Sequence, residues 1–139
     1  LSLDAIPQEE VGTFDRILVI RSLHGRLRDG IADSEIRAMR TLLKDDGMLG
    51  IVQHRAKSDA PFSYADGSRG YLRQADVVAF MQVHGFELVG TSEINANPND
   101  TADHPQGVWE MPPVWSTKRE ELKDLGESDR MTLLFKKAD

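Results

Sequence analysis

The chain has 139 residues, 29% charged and 40% hydrophobic, which suits one globular domain and is too short for two. A balance of 17 Lys+Arg against 23 Asp+Glu leaves a net charge of −6, which argues against a protein that grips nucleic acid by neutralising phosphates. No apolar run approaches the roughly 20 residues of a bilayer span, and the lack of Cys excludes disulfides, Cys-ligated zinc, iron–sulfur clusters and a Cys nucleophile.

The chain begins at Leu1 rather than Met, so a removed end or membership of a longer protein is expected. Within Phe14–Leu23, the aliphatic run Ile17-Leu-Val-Ile20 predicts a strand buried on both faces. A helix follows. Asp33 is its expected cap, Glu35 suits the positive end of its dipole, and Ile36, Met39 and Leu43 share one face. Gly47 is its expected stop. Met48–Val52 predicts a second strand, ending near Gln53-His54. Residues 55–73 are polar and rich in Gly, Pro and Ser, as in a loop with a short helical turn. Gln74 to His84 reads as a helix with Val77, Phe80, Met81 and His84 on one face, ended by Gly85. Phe86–Glu93 predicts a third strand. A long irregular connection runs from Ile94 to Ser128, with a short helix over Thr117–Leu125, and Met131–Phe135 predicts the last strand.

Strands alternating with helices imply βαβ units and a parallel sheet. No strong helix pattern separates the last two strands, so the final one is expected to return antiparallel. The expected fold class is α/β, about four main strands forming a layered sheet with a mixed edge.

In open sheets of this kind, ligands bind beyond the carboxyl ends of the strands. That rule selects Arg21, Ser22, Leu23 and His24 after the first strand, and His54 and Arg55 after the second. Two His at one edge suit acid–base work near neutral pH. The plainer alternative is a pair of surface or capping residues. No pair among the four His has the three- or four-residue spacing of a helical metal site, so no metal is expected. His84 reads as a packed or capping residue and His104 as part of a flexible loop. There is no Gly-rich phosphate loop and no Gly-x-Ser-x-Gly elbow. Trp109 and Trp115 flank Met111-Pro-Pro113. They either wall a pocket or, as the favoured reading, pin the long loop to the sheet. Arg69 and Arg73 flank Tyr71 and either bind an anion or stay solvated.

These motifs, in this order, resemble one family. Phe14-Asp15 followed by aliphatic residues and Leu23-His24 is similar to the fourth strand of class I S-adenosylmethionine-dependent methyltransferases. Leu42-Leu43-Lys44-Asp45-Asp46-Gly47 resembles the Leu-Lys-Pro-Gly-Gly turn before their fifth strand, with Asp45-Asp46 as a departure. Gly85-Phe86 resembles the opening of strand six, and Asp129–Lys137 the antiparallel strand seven. Asp4-Ala5 is similar to the pair that touches the cofactor's adenine. His54-Arg55-Ala56, the segment through Asp76, Gly85-Phe86, and Asn97-Pro98 with Asp100 resemble a subgroup of bacterial predicted methyltransferases.

The resemblance covers nearly the whole chain but only the C-terminal half of such an enzyme. The family's first strand, Gly-rich loop and ribose-binding acid would lie upstream of Leu1. It implies an enzyme using S-adenosylmethionine to methylate a small-molecule acceptor, the 139-residue chain alone being inactive. Carried over by position, Asp4, Ala5, Arg21, Ser22 and Leu23 would border the cofactor. His24 and His54 would face the acceptor or assist its deprotonation. Arg55, Tyr71, Asn97 and Trp109 are the candidates for further contact with the acceptor. The alternative is a non-catalytic binding or assembly module on the same fold, and a weaker one is half of a nicotinamide-dependent oxidoreductase. No nucleic acid and no transmembrane segment are expected. A cytoplasmic location is expected, with the bacterial periplasm or export as the alternative. Without an upstream half, the strand at Phe14–Leu23 would be a bare aliphatic edge, expected to pair with another chain or a second copy.

Overall fold

The computed structural model describes residue 3 and residues 5–139. Strand β1 (Phe14–Ile20) leads through helices α1 (Leu23–Arg28) and α2 (Ala32–Leu42) into β2 (Leu43–His54). A short α3 (Phe62–Ala65) precedes α4 (Gln74–Val83), β3 (Phe86–Ser92) and, after the long connection, β4 (Arg130–Lys137). The sheet order is β1-β2-β4-β3. β1 and β2 are parallel, joined by a helical crossover, while β4 runs antiparallel to both β2 and β3. The antiparallel strand is therefore interior. The last strand returns antiparallel as the sequence predicts, and it makes the β4–β3 side of the sheet mixed, with β3 outside β4 rather than beside β2.

The strand register explains where the core lies. Ile17, Leu49 and Phe135 align across three strands, as do Val19, Ile51 and Leu133. These residues point to one face, where Leu23, Ile36, Met39, Val77 and Met81 pack over them. Ala32, Ile36, Met39 and Leu42 recur at helical spacing, so α2 offers one apolar stripe to that face. The alternate rows, Leu18-Gly50-Leu134 and Ile20-Val52-Thr132, lie on the other face, where Leu18 is 70% exposed, Ile20 44% and Leu134 38%. The aliphatic run is thus covered on one face only, contrary to the reading of a strand buried on both.

Local signals also resolve differently. Ile31, not Asp33, is the N-cap of α2. Asp33 sits in the first turn, paired with Arg37 at 3.0 Å and with the His84 ring. Helix α2 ends at Leu42, and Gly47 lies inside β2. A Cβ at Gly47 would stand 2.8 Å from the Leu43 side chain and 3.1 Å from the Phe14 carbonyl, so the close strand approach favours glycine there. His84 is the C-cap of α4, with its ring against Phe80. Arg40 ties the α4–β3 turn to the end of β4, donating to the Gly85 and Ala138 carbonyls at 3.0 Å each. The expected helix over Thr117–Leu125 is a single 3-10 turn, Glu120–Leu122. Among the described residues, no helix is long and apolar enough to cross a membrane.

Candidate functional site

The carboxyl ends of β1 and β2 lie side by side, and a cleft of ≈ 290 Å³ opens there. It is lined by Ile20, Arg21, His24, His54, Trp109 and Arg130, among others. Strand alternation positions these groups. Gln53 points into the covered core and His54 to the opposite side, next to Arg130 on β4. Gln53 is fully buried and donates to the Gly70 carbonyl at 2.9 Å. Its amide also meets His24 Nδ1 at 3.2 Å, which orients that ring from the start of α1. The two imidazole centroids are 5.6 Å apart, and Trp109 stands edge-on to His24 at 6.3 Å.

A folded loop carries Trp109 to this place. Gly107 has φ 87°, and a Cβ there would lie 2.5 Å from the Arg69 carbonyl. The two loops can meet only with glycine at that position, and Val108 N–H then donates to Arg69 O at 2.9 Å.

Burial lowers the His24 pKa, although its hydrogen bond to Gln53 works the other way. Burial also pushes His54 down, to about 3, and the nearby Arg130, His24 and Arg21 charges add to the effect. Both rings are therefore neutral at neutral pH. His54 Nδ1 is 2.5 Å from Ser128 Oγ, which also accepts from Arg130 Nε at 3.2 Å. The Nε2 atoms of His24 and His54 have no hydrogen-bond partner among the described residues. Each neutral ring thus offers one donor or one acceptor to a ligand.

The structure brings together four of the sequence candidates in this cleft: Arg21, His24, His54 and Trp109. Trp109 walls the pocket while also anchoring its loop. Ser22 accepts from Arg26 beside the cleft, and the Leu23 side chain is wholly buried in the core. Ala5 is exposed, and Asp4 lies outside the described residues.

Arg55, Tyr71 and Asn97 do not line the cleft. Arg55 donates to both oxygens of Asp129 at 3.0 and 3.1 Å, to both of Glu93 at 2.7 and 3.2 Å, and to Gln74. Those carboxylates raise its pKa further. Asn97 fastens Asp129, Leu125 and Glu127. Tyr71 is fully buried and donates to Asp100 at 2.7 Å. A broader depression of ≈ 460 Å³ beside Arg55 has Arg73 tied to Asp76 at 2.8 Å, so its arginines are already paired.

Asp100, which enters the sequence reading only through the resemblance, is the centre of this framework. Fully buried, it accepts from Tyr71, from His104 Nε2 at 2.9 Å and from the Ala102 and Asp129 N–H groups. Burial would raise its pKa, but these hydrogen bonds outweigh burial and hold it low. His104 is therefore a buried structural residue rather than part of a flexible loop. Ser128 and Arg130 are the cleft residues that sequence reasoning missed. Period-two alternation in β4 places Arg130 only once its register with His54 is known.

No family model matches the chain, and no curated protein matches it. Solved structures do. A Burkholderia thailandensis 1,6-didemethyltoxoflavin-N1-methyltransferase, with 1,6-didemethyltoxoflavin and S-adenosylhomocysteine bound, is 12% identical at a TM-score of 0.60. The match covers 100% of this chain and 49% of that one. The [4+2]-cyclase SpnF is 17% identical at a TM-score of 0.64, covering 99% of this chain and 54% of that one. The CurJ carbon methyltransferase is 14% identical at 0.57, covering 100% and 34%. The chain spans about half the length of the first two. Its fold is similar to that of part of these two methyltransferases and of the cyclase.

Proposed function

We propose that this chain is the acceptor-side part of a methyltransferase that moves a methyl group from S-adenosylmethionine to a small molecule. One observation carries the reading. The cleft with the two neutral imidazoles lies at the carboxyl ends of β1 and β2, where a fold of this kind binds its ligands. The fold alone does not select methyl transfer. The placement of His24 and His54 supports a site that acts on an acceptor.

The residues present fit one side of the cofactor. The turn Arg21-Ser22 ends edge strand β1 and stands beside its unpaired side. Ser22 and the backbone of Leu23 would hold that side. When bound, S-adenosylmethionine supplies a methyl group already activated on a cationic sulfur. His24 and His54 hold the acceptor's hydroxyl or amine through their Nε2 atoms. Positioning of this kind contributes much of the rate when the donor is preactivated. His54, pushed down to about 3, is a poor proton acceptor and serves to orient. His24 takes the proton from the acceptor at Nε2 in the tautomer whose Nδ1–H donates to Gln53 Oε1, 3.4 Å away. Trp109 covers the acceptor's apolar side.

The partner expectation follows the same logic. We infer that the bare face, with Leu18, Ile20 and Leu134, is covered in the intact protein by the part of the fold this chain does not span.

The test is transfer of labelled methyl from S-adenosylmethionine by the intact protein to a panel of small hydroxylated and amino aromatics. Transfer should occur. His24→Gln should lower kcat at least about tenfold with little change in cofactor affinity. Cofactor binding without transfer to any panel member, or an unchanged kcat in the variant, would overturn the assignment.

A further inference from the structure

The cleft has an unusual charge balance for an acidic chain. Its lining contains two guanidinium groups, Arg21 and Arg130, and no carboxylate. Arg130 is engaged: Nε donates to Ser128, and Nη1 meets the exposed Glu127 at 3.2 Å. Arg21 differs. Its backbone N–H donates to Val52 O at 2.6 Å, yet its guanidinium has no hydrogen bond and no carboxylate within 4.0 Å among the described residues. It also holds φ 52°, the left-handed region that non-glycine residues rarely occupy. Arg21 lines the cleft at the end of an edge strand. The opposite wall is apolar, with Trp109, Met111, Pro112 and Pro113.

We infer that the cleft takes a small molecule with an apolar, planar body and an anionic group, Arg21 serving as the counter-ion and Trp109 as the planar wall. This rests on the methyl-transfer reading only for calling that molecule the acceptor. The chemistry of recognition stands without it. A guanidinium fork matches the two oxygens of a carboxylate or phosphate. The two neutral imidazoles add hydrogen bonds without adding charge. A volume of ≈ 290 Å³ suits a single ring with one or two substituents.

The experiment titrates the 139-residue chain with benzoate, phenyl phosphate and neutral benzamide, with no cofactor present. Binding is read from the Trp109 indole and the His24 and His54 ring signals by NMR. At least one anion should bind about tenfold tighter than benzamide and shift all three signals. The two anionic arms distinguish a carboxylate from a phosphate. Arg21→Gln should remove that preference, and Arg21→Lys should restore part of it, which separates lost charge from lost folding. Equal binding of benzamide and both anions, or an anion preference that survives Arg21→Gln, would overturn the inference. Because no methyl donor is present, a negative result here leaves the transfer assay as an independent question.

Discussion

The two faces of the sheet are built from the same residue types and meet opposite fates. Leu133 and Leu134 are neighbours on β4. Leu133 lies in the core beneath the helices, while Leu134 is 38% exposed beside Leu18 and Gly50. Both faces carry aliphatic side chains, but among the described residues only one has helices over it. An aliphatic row left open to solvent is a row prepared for contact. The cleft lies where the open side begins to close, since the loop carrying Trp109 folds over the ends of β1 and β2.

The largest effect should come from breaking this contrast directly. Leu133→Ala should cost about 2–5 kcal/mol of unfolding free energy in urea, because it leaves a hole in packed core. Leu134→Ala in the same chain should cost less than about 1 kcal/mol. In the intact protein the second figure should rise toward the first. Equal costs in the isolated chain would show that the two faces do not differ as described.

The pH dependence is the next largest. His54 has an ordinary value of 6.5 and is pushed down to about 3 in the fold. Between those values the unfolded chain takes up a proton that the folded chain refuses. Stability is therefore complete above about pH 6.5 and declines as pH falls, by up to about 1.4 kcal/mol per unit. Asp100, held below the usual carboxylate range, adds a loss of the same sign at lower pH. Urea midpoints at about pH 7 and about pH 5 should differ clearly, and His54→Gln should flatten the difference. A pH-independent midpoint would contradict the burial of a neutral His54.

The smallest effect concerns association. The isolated chain should self-associate as its concentration rises, and Leu18→Ser with Leu134→Ser should shift it toward monomer in sedimentation velocity. A wild-type chain that stays monomeric at high concentration would weaken the view of this face as a contact surface.

Much of the fold was legible before the structure. The run Ile17–Ile20, the stripe Ile36-Met39 and the helix from Gln74 all report local periodicity, which is a property of neighbouring residues. The antiparallel return at Met131–Phe135 followed from the lack of a covering helix. What was not legible depends on distant pairing. The interior place of β4, the exposure of Leu18 and the closeness of Arg130 to His54 come from strand order and register. Gly47 looked like a helix stop because the helix pattern ran into it. The crowding that favours glycine there comes in part from the Phe14 carbonyl, more than thirty residues earlier in the chain. Arg55 and Asn97 looked free to bind a ligand because their partners, Asp129 and Glu93, lie far along the sequence.

The most direct measurement is calorimetric titration of S-adenosylmethionine into the intact protein and, separately, into the 139-residue chain. One molecule should bind per intact protein, and the chain alone should give no heat of binding. An intact protein that binds no S-adenosylmethionine would contradict the account.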